Sequence, residues 1–324
     1  MKKIHFLILN ILLISTLACS KEEMTDTDVP VEVEKIYTGN LYITTQTQLD
    51  NFASNNYDII NGTVYLSGEQ IVNTSDLKSI KLINGDLILG NTNLENIDGF
   101  ENTNIKEGGN IQLLTNPKLK NLNGLQKVTN QLESLTITNN PLLDNIDGLA
   151  NISEVTHLIQ ISDTNFLTNL NGLTGINKPI NYLKISNNTV ITDTSGLLNI
   201  PFVSDLNFSS NSSVISLSNM LSLKEVGNFY LDGNLKLENI DGLKELEVCS
   251  GAMTIQYNPK LKNIDGLNKL KNIDNGTITI IKNISLNDFC GLSLLSTTSS
   301  KNYYIMDNLY NPTKDEIKNG SCKI

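Results

Sequence analysis

Apolar residues along the chain fall into short alternating runs: LTI (135–137), LKI (183–185), FYL (229–231), MTI (253–255) and ITI (278–280). Period-two alternation with β-branched residues predicts strands that bury one face. A polar residue follows each run, usually Asn, and the pattern then recurs about every 24 residues, at Asn91, Asn116, Asn140, Thr164, Asn188, Asn211, Asn234, Asn258 and Asn283. Three residues on, every copy is apolar. Six on, all are apolar except Thr194, and eight on, all are Gly except Asn219. The near-identical stretches NPKLKNLNGL (116–125) and NPKLKNIDGL (258–267) are two of these copies, so they read as scaffold rather than as a duplicated site.

A strand of three to five residues cannot bury its apolar face alone, whereas stacking each unit on the next makes a continuous core. Between runs the chain seldom shows the 10–12 residues of 3.6-period pattern that a crossover helix would need. The pattern therefore predicts a mainly-β stack of about ten coils over residues 37–310. The Gly allows a tight turn or a close backbone approach. A buried Asn at a turn can satisfy backbone groups of its own and the adjacent coil, so the recurring Asn predicts a ladder. Thr164 and Thr194 depart from the pattern, and the coils near 164–194 are expected to be the least regular.

Strand, Asn, apolar and IDGL in succession, as in GDLILGNTNLENIDGF (85–100), resemble the receptor L domain, the leucine-rich module of insulin and epidermal growth factor receptor ectodomains. That resemblance implies a single right-handed β-solenoid with short helical caps. The chain has more consecutive coils than those receptors, no Cys-rich module and no transmembrane or kinase segment, so growth-factor signalling is not implied. Similar repeats occur in surface lipoproteins of Bacteroidetes-type bacteria, and the ends of the chain favour that comparison.

Residues 1–18 read as a signal peptide: Lys2 and Lys3 precede an apolar run that stops before Cys19, too short to span a membrane. TLAC (16–19) resembles a lipobox, which implies lipidation of Cys19; ordinary cleavage without lipid is the alternative. Lys21, Glu22 and Glu23 resemble the acidic surface-export tag of such lipoproteins, and 19–36 reads as the lipidated Cys followed by an acidic tether. A cap helix is predicted at about 46–55, where Thr45 and Gln48 have capping-box spacing, and a second within 311–324, where Pro312, Thr313 with Glu316, and Gly320 mark start and stop. Cys290 and Cys322 are expected to bridge outside the cytoplasm, tying the cap to the stack, with bridges to Cys249 as the alternative.

Composition narrows the chemistry. Net charge is −10, there are 24 Lys and no Arg, and loss of Lys2 and Lys3 with residues 1–18 would leave −12. A negative surface without guanidinium forks is a poor partner for nucleic acid or phosphate. No GxSxG, HExxH, phosphate loop or paired-Cys zinc spacing occurs. The GNTNLENIDG stretch (90–99) lacks EF-hand spacing, so no metal and no cofactor is expected. His157 reads as a surface residue, and Asp241 and Asp265 as turn residues of the repeat.

What remains is a surface. Outward strand positions run Gln112, Thr136, Gln160, Lys184, Asn207, Tyr230, Thr254 and Thr279. The plain reading is a solvated face. The functional reading is a polar platform with Tyr230, Asp232, Gln256 and Tyr257 as its ligand patch, the tyrosines stacking on a glycan or anchoring a protein. The expected function is a non-catalytic, monomeric recognition or adhesion lipoprotein at the outer-membrane surface. It would meet the membrane through its lipid and an extracellular protein or glycan through the stack; an envelope enzyme or enzyme subunit, or a ligand-free spacer, is the alternative.

Overall fold

The computed structural model describes residues 33–274, 276–299 and 303–324. Among these the chain is mainly β, with a 14-stranded sheet, a smaller 4-stranded sheet, and every named strand pairing in parallel with its neighbours. Sheet order follows chain order: Gly109–Leu114 pairs with Leu132–Thr138, then with Val155–Ser162, Ile180–Ser186, Phe202–Ser209 and Glu225–Asp232 in turn. Parallel neighbours need a crossover of a dozen or more residues, and one repeat supplies it. The arrangement is compatible with a solenoid-like fold.

The crossover contains a short 3-10 turn in place of a longer helix. Such turns occupy Asp98–Phe100, Asn123–Leu125, Asp147–Leu149, Asn171–Leu173, Ser195–Leu197, Asp241–Leu243, Asp265–Leu267 and Cys290–Leu292, the site of the recurring Gly. Strand pairs such as Leu135/Ile137, Leu183/Ile185 and Phe229/Leu231 point inward, and the following Leu143, Ile191 and Leu237 close the other side; all are fully buried. Removing such a side chain from water stabilises by roughly 1.5–3 kcal/mol before entropy is counted.

The Asn ladder is continuous over most of the stack. The Asn234 backbone N–H and Nδ2 both donate to Asn258 Oδ1, at 3.0 and 3.1 Å, while Nδ2 also reaches the Phe208 carbonyl of the preceding repeat at 3.1 Å. Asn258 repeats this onto Asn283, and Asn283 onto Asn308. Each amide thus fills its hydrogen-bonding capacity inside the core.

Three features differ from the sequence expectation. The first rung is Thr92, whose N–H and Oγ1 donate to Asn116 Oδ1 at 3.1 and 2.6 Å; Asn91 stands one residue earlier, exposed, at φ 54°. A further rung, Asn308, follows the strand Tyr303–Met306 and is held by Asn311. Lastly, the coils around 164–194 keep regular 3-10 turns, and the irregular repeat is the next one, where Asn219 replaces Gly and residues 218–219 form only a plain turn. In the repeats that keep the 3-10 turn, a Cβ on the Gly would stand 1.7–2.0 Å from the preceding repeat's carbonyl oxygen, so the Asn219 turn has to open.

Helix α1, Gln46–Ala53, is closed by a reciprocal capping box between Thr45 and Gln48 and buries Leu49 and Ala53 against the first repeats. Helix α2, Ser293–Thr298, follows the last 3-10 turn and had no counterpart in the sequence reading. Helix α3, Lys314–Lys318, has the Thr313–Glu316 capping box and buries Ile317. Cys290 and Cys322 are disulfide-bonded, joining that last turn to the chain after α3, and Cys249 is a free, buried thiol, so it takes no part in a bridge.

Two stability predictions follow from unmatched groups. Thr164 donates onward to Asn188 Oδ1, but no bond from the Asn140 amide reaches residue 164 among the described residues. Thr164→Asn should splice the two runs and raise stability by about 1 kcal/mol, whereas Asn211→Leu should cost several kcal/mol by stranding buried groups of Asn188 and Ile185. Thr194 Oγ1 is buried without a partner in an otherwise apolar column, so Thr194→Val should add about 1 kcal/mol. Urea denaturation of the variants beside the parent checks both.

Candidate binding face

The outward positions form one row in strict register: Gln112, Thr136, Gln160, Lys184, Asn207, Tyr230, Thr254 and Thr279 oppose one another strand by strand. Ile88, Tyr65 and Tyr42 continue the row at one end, with the two tyrosine rings stacked at 4.6 Å, and Tyr304 continues it at the other.

The predicted patch is partly assembled. Tyr230 and Asp232 lie on the strand Glu225–Asp232, and Gln256 on the adjacent strand is the register partner of Asp232. Tyr257 sits at the corner beyond, at φ 54° and 45% exposed, and makes no ring contact with Tyr230 among the described residues. Its partner is Lys282, whose Nζ donates to the Tyr257 hydroxyl at 3.0 Å and lies 4.9 Å from the ring centroid. That hydrogen bond holds the Lys282 ammonium above its ordinary pKa.

A second outward row was missed by the sequence reading: Asn110, Ser134, Leu158, Tyr182, Asp205 and Asn228. It appears because the central strands run seven or eight residues, longer than the three-letter runs that announce them. The signal was present as the same alternation read two residues upstream, in YLKI (182–185) and DLNF (205–208). In the structure the two rows bring Tyr182 and Lys184 against Asp205 and Asn207, around a shallow depression of about 320 Å³. Asn228 Nδ2 donates to Asp205 Oδ2 at 3.1 Å, and the Ala252 N–H in turn holds Asn228 Oδ1 at 3.0 Å. Ser209 Oγ donates to Asn207 Oδ1 at 2.7 Å. Tyr182 is 46% exposed, with His157 edge-on to its ring at 5.2 Å.

Other reactive groups do not converge in this way. No group of three or more His, Cys, Asp or Glu suited to a metal occurs among the described residues. The Cys249 thiol is pushed up to about 12 by burial and donates to the Gly227 carbonyl at 3.1 Å, so it is a structural thiol. Cys19, Lys21, Glu22 and Glu23 lie outside the described residues. Neither a family model nor a curated protein matches the chain.

Asp265, in a turn stacked between the repeats of Asp241 and Asp288, has its pKa raised, first by burial and then by those two carboxylates. A carboxylate whose folded pKa is raised favours the native state at low pH and loses that contribution as pH rises through the folded value. Asp265→Asn should therefore raise the thermal midpoint at pH 7 by an amount worth a few tenths of a kcal/mol, with the difference closing below the ordinary carboxylate range. Melts from pH 3 to 8 check the sign.

Proposed function

We propose that this chain is a non-catalytic recognition module that binds a protein or glycan through the outward face of its large parallel sheet. The observation that carries the reading is the in-register outward rows. They set polar and aromatic side chains on a scaffold whose opposite face is wholly committed to the core. Side chains on paired strands are more rigidly placed than on loops, which lowers the entropic cost of binding. The finer architecture belongs to the same reading: a right-handed β-solenoid of receptor L-domain type with about ten coils, supported by sequential parallel pairing and the shared Asn ladder. The leader sequence supports anchoring of a monomer in the outer membrane through lipid on Cys19, with Lys21, Glu22 and Glu23 directing it to the cell surface.

Three experiments test this. Residues 20–324 applied to combined glycan and extracellular-protein arrays should give a defined set of bound ligands, and turnover of any ligand by the purified protein would overturn the non-catalytic reading. In cells, Cys19→Ala should move the protein from the membrane to the soluble fraction, and unchanged retention would refute lipidation. Protease shaving of intact cells should degrade the parent protein, and complete protection would refute surface exposure.

A further inference from the structure

We infer that the grid centred on Tyr182, Lys184, Asp205 and Asn207, with Tyr230 at its far corner, is a binding site for a neutral oligosaccharide. The inference rests on the reading of this face as a recognition surface and names the ligand class and the residues.

The first argument is arrangement. Tyr182 opposes Asp205, which opposes Asn228; Lys184 opposes Asn207, which opposes Tyr230. With strands about 4.8 Å apart and about 3.3 Å per residue along a strand, the two tyrosines lie two strands and two residues apart, about 12 Å on the diagonal, with polar groups between them. A chain of linked sugar rings presents flat C–H faces alternating with hydroxyls, and this grid offers phenol faces at its ends and donors and acceptors at its centre.

The second argument is the state of those polar groups. Some exposed charges pair between repeats, as in Lys120–Glu95, Lys262–Glu238 and Lys269–Glu245, each at 2.7 Å, while others among the described residues, such as Lys118, Lys236 and Lys260, do not. Lys184 Nζ has no such partner among the described residues, although Asp205 lies on the adjoining strand. Asp205 spends one oxygen on Asn228 and leaves Oδ1 open, while Asn207 receives Ser209 at Oδ1 and leaves Nδ2 open. The bonds that are made fix both side chains, and both residues line the depression. A fixed acceptor beside a fixed donor suits a hydroxyl group, which needs both.

The third argument is charge. A net charge of −10 opposes approach of a polyanion, and within the grid the Asp205 carboxylate offsets the Lys184 ammonium, leaving no net charge to select an acidic sugar. A purely apolar partner would strand Asp205, Lys184 and Asn207 without water. A neutral saccharide meets neither objection.

The test uses residues 20–324 and a panel of neutral oligosaccharides of the cello-, xylo-, manno-, galacto- and chito- series, measured by calorimetry. At least one member should bind. Tyr182→Ala and Asp205→Ala should each weaken that binding about tenfold or more, and Tyr182→Phe should leave it nearly unchanged because the ring face is kept. Thermal midpoints matching the parent confirm that these changes leave the fold intact, and Leu142→Ala, at a partly exposed residue outside the grid, serves as the unaffected control. Binding that is indifferent to Tyr182→Ala and Asp205→Ala overturns the site. Binding to array proteins with none to the panel also overturns it while leaving the recognition reading in place. Binding to neither removes both.

Discussion

Parallel strands about 4.8 Å apart leave space at each crossover for a carbonyl oxygen and none for a Cβ beside it. A Cβ built on Gly148 would stand 1.8 Å from the Leu122 carbonyl oxygen, and one on Gly172 would stand 1.9 Å from that of Ile146. That contact fixes the crossover wherever the Gly is present. It places the 3-10 turn, which places the inward Ile or Leu ahead of it, and so brings each rung of the Asn ladder over the next. The ladder then holds the corner where the backbone leaves the sheet and would otherwise carry unpaired amides into the core. Close packing alone would tolerate slippage between apolar stripes, but a rung that donates and accepts at fixed distances does not.

Much of this was legible because stacking turns a three-dimensional requirement into a one-dimensional one, repeating a residue type at a fixed phase. Glycine, the inward apolar positions and both capping boxes could be read in that way. The first rung could not. Asn91 occupies a left-handed position that also favours Asn, while the rung beside it needs only donors toward Asn116, which Thr92 supplies. Two different physical demands place similar residues side by side, and spacing alone cannot separate them. Asn308 was hidden for the opposite reason: after it the chain abandons the repeat, and Asn311, three residues on, takes the next rung's role. The residues of the binding grid were half legible. Lys184, Asn207 and Tyr230 follow from alternation, but Tyr182 and Asp205 become neighbours only through strands that lengthen in the middle of the sheet.

The repeat in which Asn219 replaces Gly shows what the glycine rule protects. By repeat equivalence Asn219 stands against Thr194, as Gly196 stands against Leu170. The turn there is not 3-10, yet Val214, Leu217, Met220 and Leu223 remain fully buried and Asn211 still bonds to Asn234. The ladder and the core thus carry the register through a repeat whose turn has relaxed, and the disturbance is confined to the crossover.

The inward face, the turn and the rung leave little freedom, so variation between repeats collects on the outward rows. Most of that variation is among uncharged side chains such as Gln112, Thr136, Asn207 and Thr254, while the lysine–glutamate pairs one repeat step apart lie outside the strands, at groups largely open to solvent where pairing contributes little. Such pairs leave little for a ligand to satisfy. Where the rows instead hold a carboxylate and an amide rigidly by one side and leave the other side open, the scaffold gains nothing from the open half. Unmatched hydrogen-bonding capacity, fixed in place beside exposed aromatic rings, is the feature that separates the grid around Tyr182 and Asp205 from the rest of the face.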